Sequence, residues 1–273
     1  MSSRKVGTQR AFDAAADFAA LGRHLWDPIG AATVAAAGLG EGSRVLDACC
    51  GTGASAIPAA RAVGAGGVVD AIDLSGPMIG ELRRLSADLP QLRAYEADAT
   101  AWDTDGYDAV LSALGIFFFP DMTDGTERLI SRARPGGRAV FTIWRGGAMV
   151  TAGRHAGRAM AAVTDSTPPP EREPSLIDRI DQADTYAEWL SGRDLSDVDV
   201  VVNELRLTMT PEVAWLVVIG SGFRGIVDGL EPGVVEQVRE RYLESLSAEG
   251  VTELDATTLI GSGTVRRAGR SLT

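Results

Sequence analysis

The chain has 273 residues, 45% of them hydrophobic, and its 37 acidic against 26 basic side chains leave a formal net charge of −11. That size and apolar content fit a folded protein with a sizeable core rather than a disordered chain. The acidity argues against nucleic acid, whose phosphates need a basic surface, and against anionic membranes; it leaves a small-molecule partner.

Residues 10–39 are alanine-rich, with Phe12, Phe18, Leu21, Leu25 and Trp26 spaced for an amphipathic helix. Asp27-Pro28 is expected to end or bend it, because the residue before proline avoids the helical region. AATVAAAGL then reads as a second helix closed by Gly40. These helices predict an N-terminal cap over residues 1–40, ahead of a main domain over 41–273. From residue 44 strands alternate with helices. Strands are expected at 44–50, 66–74, 92–98, 107–114 and 138–144, and helices at 54–63, 77–89 and 122–134. Near-continuous apolar strands of this kind predict a mostly parallel, doubly wound α/β sheet covered on both faces. The second half predicts an exposed Pro-rich loop at 167–175, a helix at 176–190, a strand at 198–209, helices at 211–223 and 232–250, a last strand at 255–266 and a frayed tail from Arg267.

The only cysteines, Cys49 and Cys50, are adjacent. Their Cα atoms are about 3.8 Å apart, too close for a relaxed disulfide, so free thiols in a reducing compartment are expected. Two cysteines with His24 and His155 have no zinc spacing, and no metal is expected. No apolar run suits a signal peptide or a bilayer span, so the sequence reads as cytoplasmic, with no membrane partner.

VLDACCGTGAS ends the first strand in a glycine turn, and in an open parallel sheet ligands bind at such carboxyl ends. Gly51 and Gly53 let the backbone approach a ligand closely. Gly51-x-Gly53-x-x-Ala56 also satisfies a dinucleotide fingerprint, which keeps an NAD(P)-binding oxidoreductase as an alternative. Asp47 separates the two, since a carboxylate repels a pyrophosphate and suits an ammonium. Asp73 ends the second strand, where a carboxylate accepts ribose hydroxyls. Asp98 ends the third, where it would accept from an adenine amine or serve as a turn residue.

VLDACCGTG, VVDAIDLSGPMI, YEADATAW, YDAVLSALGIFFFPD and RARPGGRAVFTIW, in this order over residues 44–144, resemble the class I S-adenosylmethionine-dependent methyltransferases, especially the small-molecule branch that includes the ubiquinone-biosynthesis C-methyltransferases. The resemblance implies a seven-stranded Rossmann-like sheet with helical lid additions, an insertion around 146–195, and S-adenosylmethionine as cofactor. It implies that Asp73 holds the ribose, that Leu74 and Met78 flank the adenine, that Asp98 and the Ala99 backbone read its edge, and that Ser112 lies beside the methionine part. The first glycine of the family's motif is replaced by Cys49, which is expected to line the methionine pocket without a positive φ. With no base or cation nearby in sequence, both thiols read as packing groups.

On the acceptor side the implied task is alignment of a nucleophile with the methyl carbon, helped by a base where the nucleophile carries a proton. The candidate bases are His155 and His24. Trp26, Phe117 and Phe118 are candidates for an apolar acceptor wall. Many relatives place a polar or histidine-containing pair after strand four; LGIFFFPD here does not. The expected activity is O- or C-methylation of a small, partly apolar metabolite, with natural-product biosynthesis as one setting for it. A further alternative is a non-methylating S-adenosylmethionine-binding protein of the same fold.

Overall fold

The computed structural model describes residues 15–165 and 173–266; Phe12, most of the expected Pro-rich loop and the tail from Arg267 lie outside them. In chain order these residues form α1 (Ala15–Gly22), α2 (Trp26–Ala37), β1 (Arg44–Ala48), α3 (Ala56–Val63), β2 (Val68–Asp73), α4 (Gly76–Leu85), β3 (Leu92–Glu96), β4 (Tyr107–Ala113), α5 (Met122–Ile130), β5 (Ala133–Trp144), α6 (Val150–Thr164), α7 (Leu176–Arg179), α8 (Ala183–Ser191), β6 (Leu195–Asn203), β7 (Arg206–Thr208), α9 (Pro211–Ile219), α10 (Pro232–Ala248), β8 (Glu253–Asp255) and β9 (Thr258–Val265). They fall into two compact units. Of the described residues, a sheet unit takes 27–146, 174–203 and 258–266, and a helical unit takes 15–26, 147–165, 173 and 204–257.

The sheet unit holds a seven-stranded sheet of order β3-β2-β1-β4-β5-β9-β6. Its first five strands pair in parallel, and β9 runs antiparallel between β5 and β6. Successive residues feed opposite faces. Val45, Val69, Ala109 and Val140 join one core cluster, with the alanine-rich face of α3. Leu46, Ile72, Val110 and Phe141 join the other, with Tyr186 and Leu190 of α8. Burial on both faces is why the mid-strand positions of β1, β2, β4 and β5 are mostly apolar, with polar side chains concentrated toward the strand ends. The chain leaves β1 toward β2 and β3, then returns to the other side of β1 for β4 and β5. The order therefore reverses between β1 and β4, and in open α/β sheets ligands bind at the carboxyl ends of the strands beside such a reversal.

Several boundaries differ from the expected ones. The break between the first two helices is a turn at residues 23–25, and Pro28 sits in the first turn of α2. Proline is tolerated there because first-turn amides have no intrahelical partner. Gly38, at φ +61°, ends α2 in place of Gly40. The strand expected over 198–209 breaks after Asn203: β6 pairs with β9, whereas β7 pairs with β8 and buries Leu207 in the helical unit. The expected helix over 176–190 is two, α7 and α8. Val34 and Ala37 of α2 pack into the sheet's core. Tyr186 of α8 donates to the Phe141 carbonyl at 3.0 Å.

The helical unit is built around Ala156, Ala159, Ala214, Val218, Val238 and Tyr242, from α6, α9 and α10. Arg224 and Asp17 pair at 2.7 Å within it.

Candidate functional site

The glycine turn follows β1 at the sheet's reversal point. Gly51 (φ +53°) and Gly53 (φ +99°) adopt conformations that favour glycine. Cys49 also has a positive φ, +60°, which corrects the expectation that it avoids one. The turn needs the left-handed conformation at the position where the family has glycine, and this chain meets that need with a cysteine, at a cost of about 1–2 kcal/mol. The compensation is fit: a side chain on Gly115 would collide with the Cys49 Cβ and the Ser112 Oγ. Both thiols are held well above their usual range, by burial first and then by Asp73 and Asp47. They are free and protonated, so neither is a nucleophile.

Asp47, in β1, is fully buried. Its Oδ2 accepts from Ser55 Oγ at 2.7 Å, while its Oδ1 has no hydrogen-bond partner. Burial, with a smaller push from Asp73, raises its carboxyl to about 7 against the opposing Ser55 bond. Asp73 accepts from the Gly51 and Ser75 amides, each at 2.9 Å, and so ties the end of β2 to the glycine turn. Burial raises its carboxyl too, opposed by those amides. A carboxylate that accepts from backbone amides keeps lone-pair capacity for a further donor. Asp98 accepts from the Thr100 amide at 2.9 Å and hydroxyl at 2.6 Å, so its turn role is realised. Ser75 caps α4 by accepting from the Met78 amide.

Leu74 is 52% exposed, whereas Met78 and Ala99 are buried, at 2% and 5%. Ser112 lies in β4 one residue past Leu111, the partner of Asp47. Its hydroxyl is buried beside the Cys49 thiol with no oxygen or nitrogen partner. Thus Asp47, Cys49, Gly51, Gly53, Asp73, Leu74, Met78, Asp98, Ala99 and Ser112 all belong to the sheet unit, in the segments at the carboxyl ends of β1, β2, β3 and β4. Among the described residues no Lys, Arg or His pairs with Asp47, Asp73 or Asp98. A shallow depression of about 340 Å³, lined by Gly42, Asp108 and Arg134, lies at the opposite, amino edge of β1 and β4 and contains none of these residues.

The acceptor-side candidates are not gathered in the same unit. Phe117 and Phe118 follow β4 in the sheet unit with ring centroids 4.7 Å apart; Phe117 is half-buried and Phe118 is 47% exposed. Trp26 stacks on Phe18, at 4.7 Å, in the helical unit. His24 lies in the turn between α1 and α2 and accepts from Arg23 at 2.9 Å. His155 is fully buried within the helical unit: Nδ1 meets Ser245 Oγ at 2.7 Å, and Nε2 lies 3.4 Å from Glu249. Burial lowers its pKa against the pull of Glu249. This geometry clasps α6 to α10.

Sequence reasoning missed Ser55, which read as an ordinary helix start, and Gly30, where a side chain would overlap the Ala54 carbonyl next to the glycine turn. The partner of each comes from a different element, so neither carries a local signal.

Carboxylates stand at successive strand ends around the glycine turn at the reversal point. The family described as methyltransferase domain matches residues 45–137. Aklanonic acid methyltransferase DauC of Streptomyces sp. (strain C5) is 31% identical over 153 residues, covering 54% of this chain and 70% of that protein. Rv1405c of Mycobacterium tuberculosis is 33% identical over 142 residues, 51% of either chain; this chain spans about half the length of that relative and its mycobacterial counterparts. Among solved structures, the YcgJ protein from Bacillus subtilis matches with TM-score 0.56 and 14% identity over 88% of this chain and 99% of its own. The structure of the complex between the Haloferax volcanii Trm112 methyltransferase activator and a methyltransferase matches with TM-score 0.58 and 16% identity over 96% and 99%. At these identities the structures show a shared fold. The chain belongs to the class I S-adenosylmethionine-dependent methyltransferases, whose cofactor is S-adenosylmethionine. The residues present fit that group, because the buried unpartnered oxygen of Asp47 calls for a cationic donor such as its ammonium.

Proposed function

We propose that the chain transfers a methyl group from S-adenosylmethionine to an oxygen or carbon of a small, partly apolar metabolite. The observation that carries this is Asp47 Oδ1, buried and unpartnered at the reversal point, with Asp73 beside it on the next strand. In this reading Asp47 takes the ammonium and Asp73 the ribose hydroxyls. Leu74 and Met78 flank the adenine, Asp98 and the Ala99 amide read its edge, and Ser112 and Cys49 border the methionine chain. The bound cofactor supplies a methyl carbon activated by sulfonium. The protein's task is then to hold that carbon, align the acceptor and exclude water. Phe117 and Phe118 provide an apolar wall on the acceptor side. The enclosure of His155 favours positioning over base catalysis by that residue, and leaves His24 as the histidine open to the role. The Streptomyces relative named for aklanonic acid supports a small-molecule acceptor and natural-product chemistry. The adjacent free thiols support a reducing, cytoplasmic setting. No helix among the described residues is long and apolar enough to cross a membrane.

Calorimetry with S-adenosylmethionine, S-adenosylhomocysteine and NAD tests the cofactor, and a screen of small apolar metabolites with methyl-labelled S-adenosylmethionine tests the transfer. Binding of the first two ligands but not NAD, with label passing to a metabolite, is expected. Tight NAD binding without S-adenosylhomocysteine binding would remove the reading.

A further inference from the structure

Ser55 occupies the N-cap position of α3, where a serine ordinarily accepts a hydrogen bond from a helix amide. Here its side chain makes no such bond. Its hydroxyl instead donates to Asp47 Oδ2 at 2.7 Å, and both side chains are buried, at 2% and 0% exposure. A cap bond stabilises the helix it starts, so a buried serine diverted from capping calls for an explanation in the group it serves. That group is a carboxylate with Asp73 and the Cys49 and Cys50 thiols as its ionisable neighbours and no cation paired to it among the described residues.

Resting on the cofactor reading above, we propose that Ser55 is a positioning residue for the cofactor's amino-acid end: it saturates one oxygen of Asp47 and fixes the carboxylate plane, so that the other oxygen alone meets the ammonium. Asp47 has two oxygens, and the protein partners only one of them. Without Ser55 both oxygens would lack a partner. The carboxyl would then be free to rotate, and it would hold its proton more tightly beside Asp73, since a hydrogen bond to the charged form has been removed. Either change works against an incoming ammonium and leaves the adenosine half of the ligand untouched.

The test uses two probes on the full chain. S-adenosylhomocysteine carries the amino-acid end, and 5′-methylthioadenosine keeps the nucleoside and lacks it. Ser55→Ala removes one oxygen and adds no bulk. It is expected to weaken S-adenosylhomocysteine roughly tenfold or more and to leave the dissociation constant of 5′-methylthioadenosine unchanged. Ser55→Cys, an isostere with a weak donor, is the second variant and loses affinity in the same probe-selective way. Equal weakening of both probes, or of neither, overturns the assignment while the proposed function stands. A wild-type protein that does not bind S-adenosylhomocysteine overturns the proposed function and this assignment with it.

Discussion

Asp47 sets two effects of opposite sign. Its carboxyl holds a proton up to about 7 in the folded chain, while an unfolded aspartate releases it near the usual ~3.9. Across that window the native state binds more protons, so this residue lowers stability as pH rises from about 4 to about 7. Ligand binding runs the other way, because the ammonium needs the ionised form. S-adenosylhomocysteine affinity is expected to rise with pH up to about 7 and then level. Asp47→Asn should abolish that rise and weaken binding, yet stabilise the ligand-free protein at pH 8 by an amount on the order of a few kcal/mol. Paired calorimetric and thermal titrations read both; an unchanged affinity profile removes Asp47 from the site. Asp73→Ala should weaken S-adenosylhomocysteine roughly ten- to hundredfold with the fold intact. The placement of Asp47, Gly51, Gly53 and Asp73 at strand ends and in the glycine turn was legible in the sequence because their residue types follow apolar runs in a fixed order. Ser55 was not, since its hydroxyl is spent on a residue eight positions earlier and not on the helix it starts.

The turn after β1 is a strained element held by packing. Cys49 at φ +60° is tolerated with its Cβ and thiol filling the space at Gly115. Cys49→Val, β-branched in a conformation such residues avoid, should destabilise by roughly 1–3 kcal/mol. Cys49→Gly should fold and retain cofactor binding; chemical denaturation with a binding check separates the two. Gly30→Ala should push α2 away from the turn and cost about 1–3 kcal/mol, as overpacking does, because its side chain would overlap the Ala54 backbone. Strand and helix identities through β5 followed from burial on both sheet faces, which writes continuous apolar runs. Boundaries failed where the competing signal was tertiary. Pro28 reads as a stop yet sits in a first turn, and residues 198–209 read as one strand although Asn203 and Arg206 pair with different sheets.

Across the whole molecule, every residue assigned to the cofactor lies in the sheet unit, and His155 lies in the helical unit. His155→Ala is therefore expected to loosen α6 and α10, seen as faster hydrogen exchange there, with S-adenosylhomocysteine affinity unchanged. The division itself was not legible, because the helical unit is assembled from three separated stretches of chain. The family was legible because the five matching motifs all lie in the contiguous stretch from 44 to 144. The acceptor was not, since its candidates are isolated aromatic and histidine residues with no spacing rule to connect them. A crystal structure of the chain with S-adenosylhomocysteine tests the central claim most directly. The account predicts the ligand's ammonium within hydrogen-bond distance, about 2.7–3.2 Å, of Asp47 Oδ1 and both ribose hydroxyls on Asp73. A ligand whose amino group sits away from Asp47, or whose ribose does not touch Asp73, would contradict it.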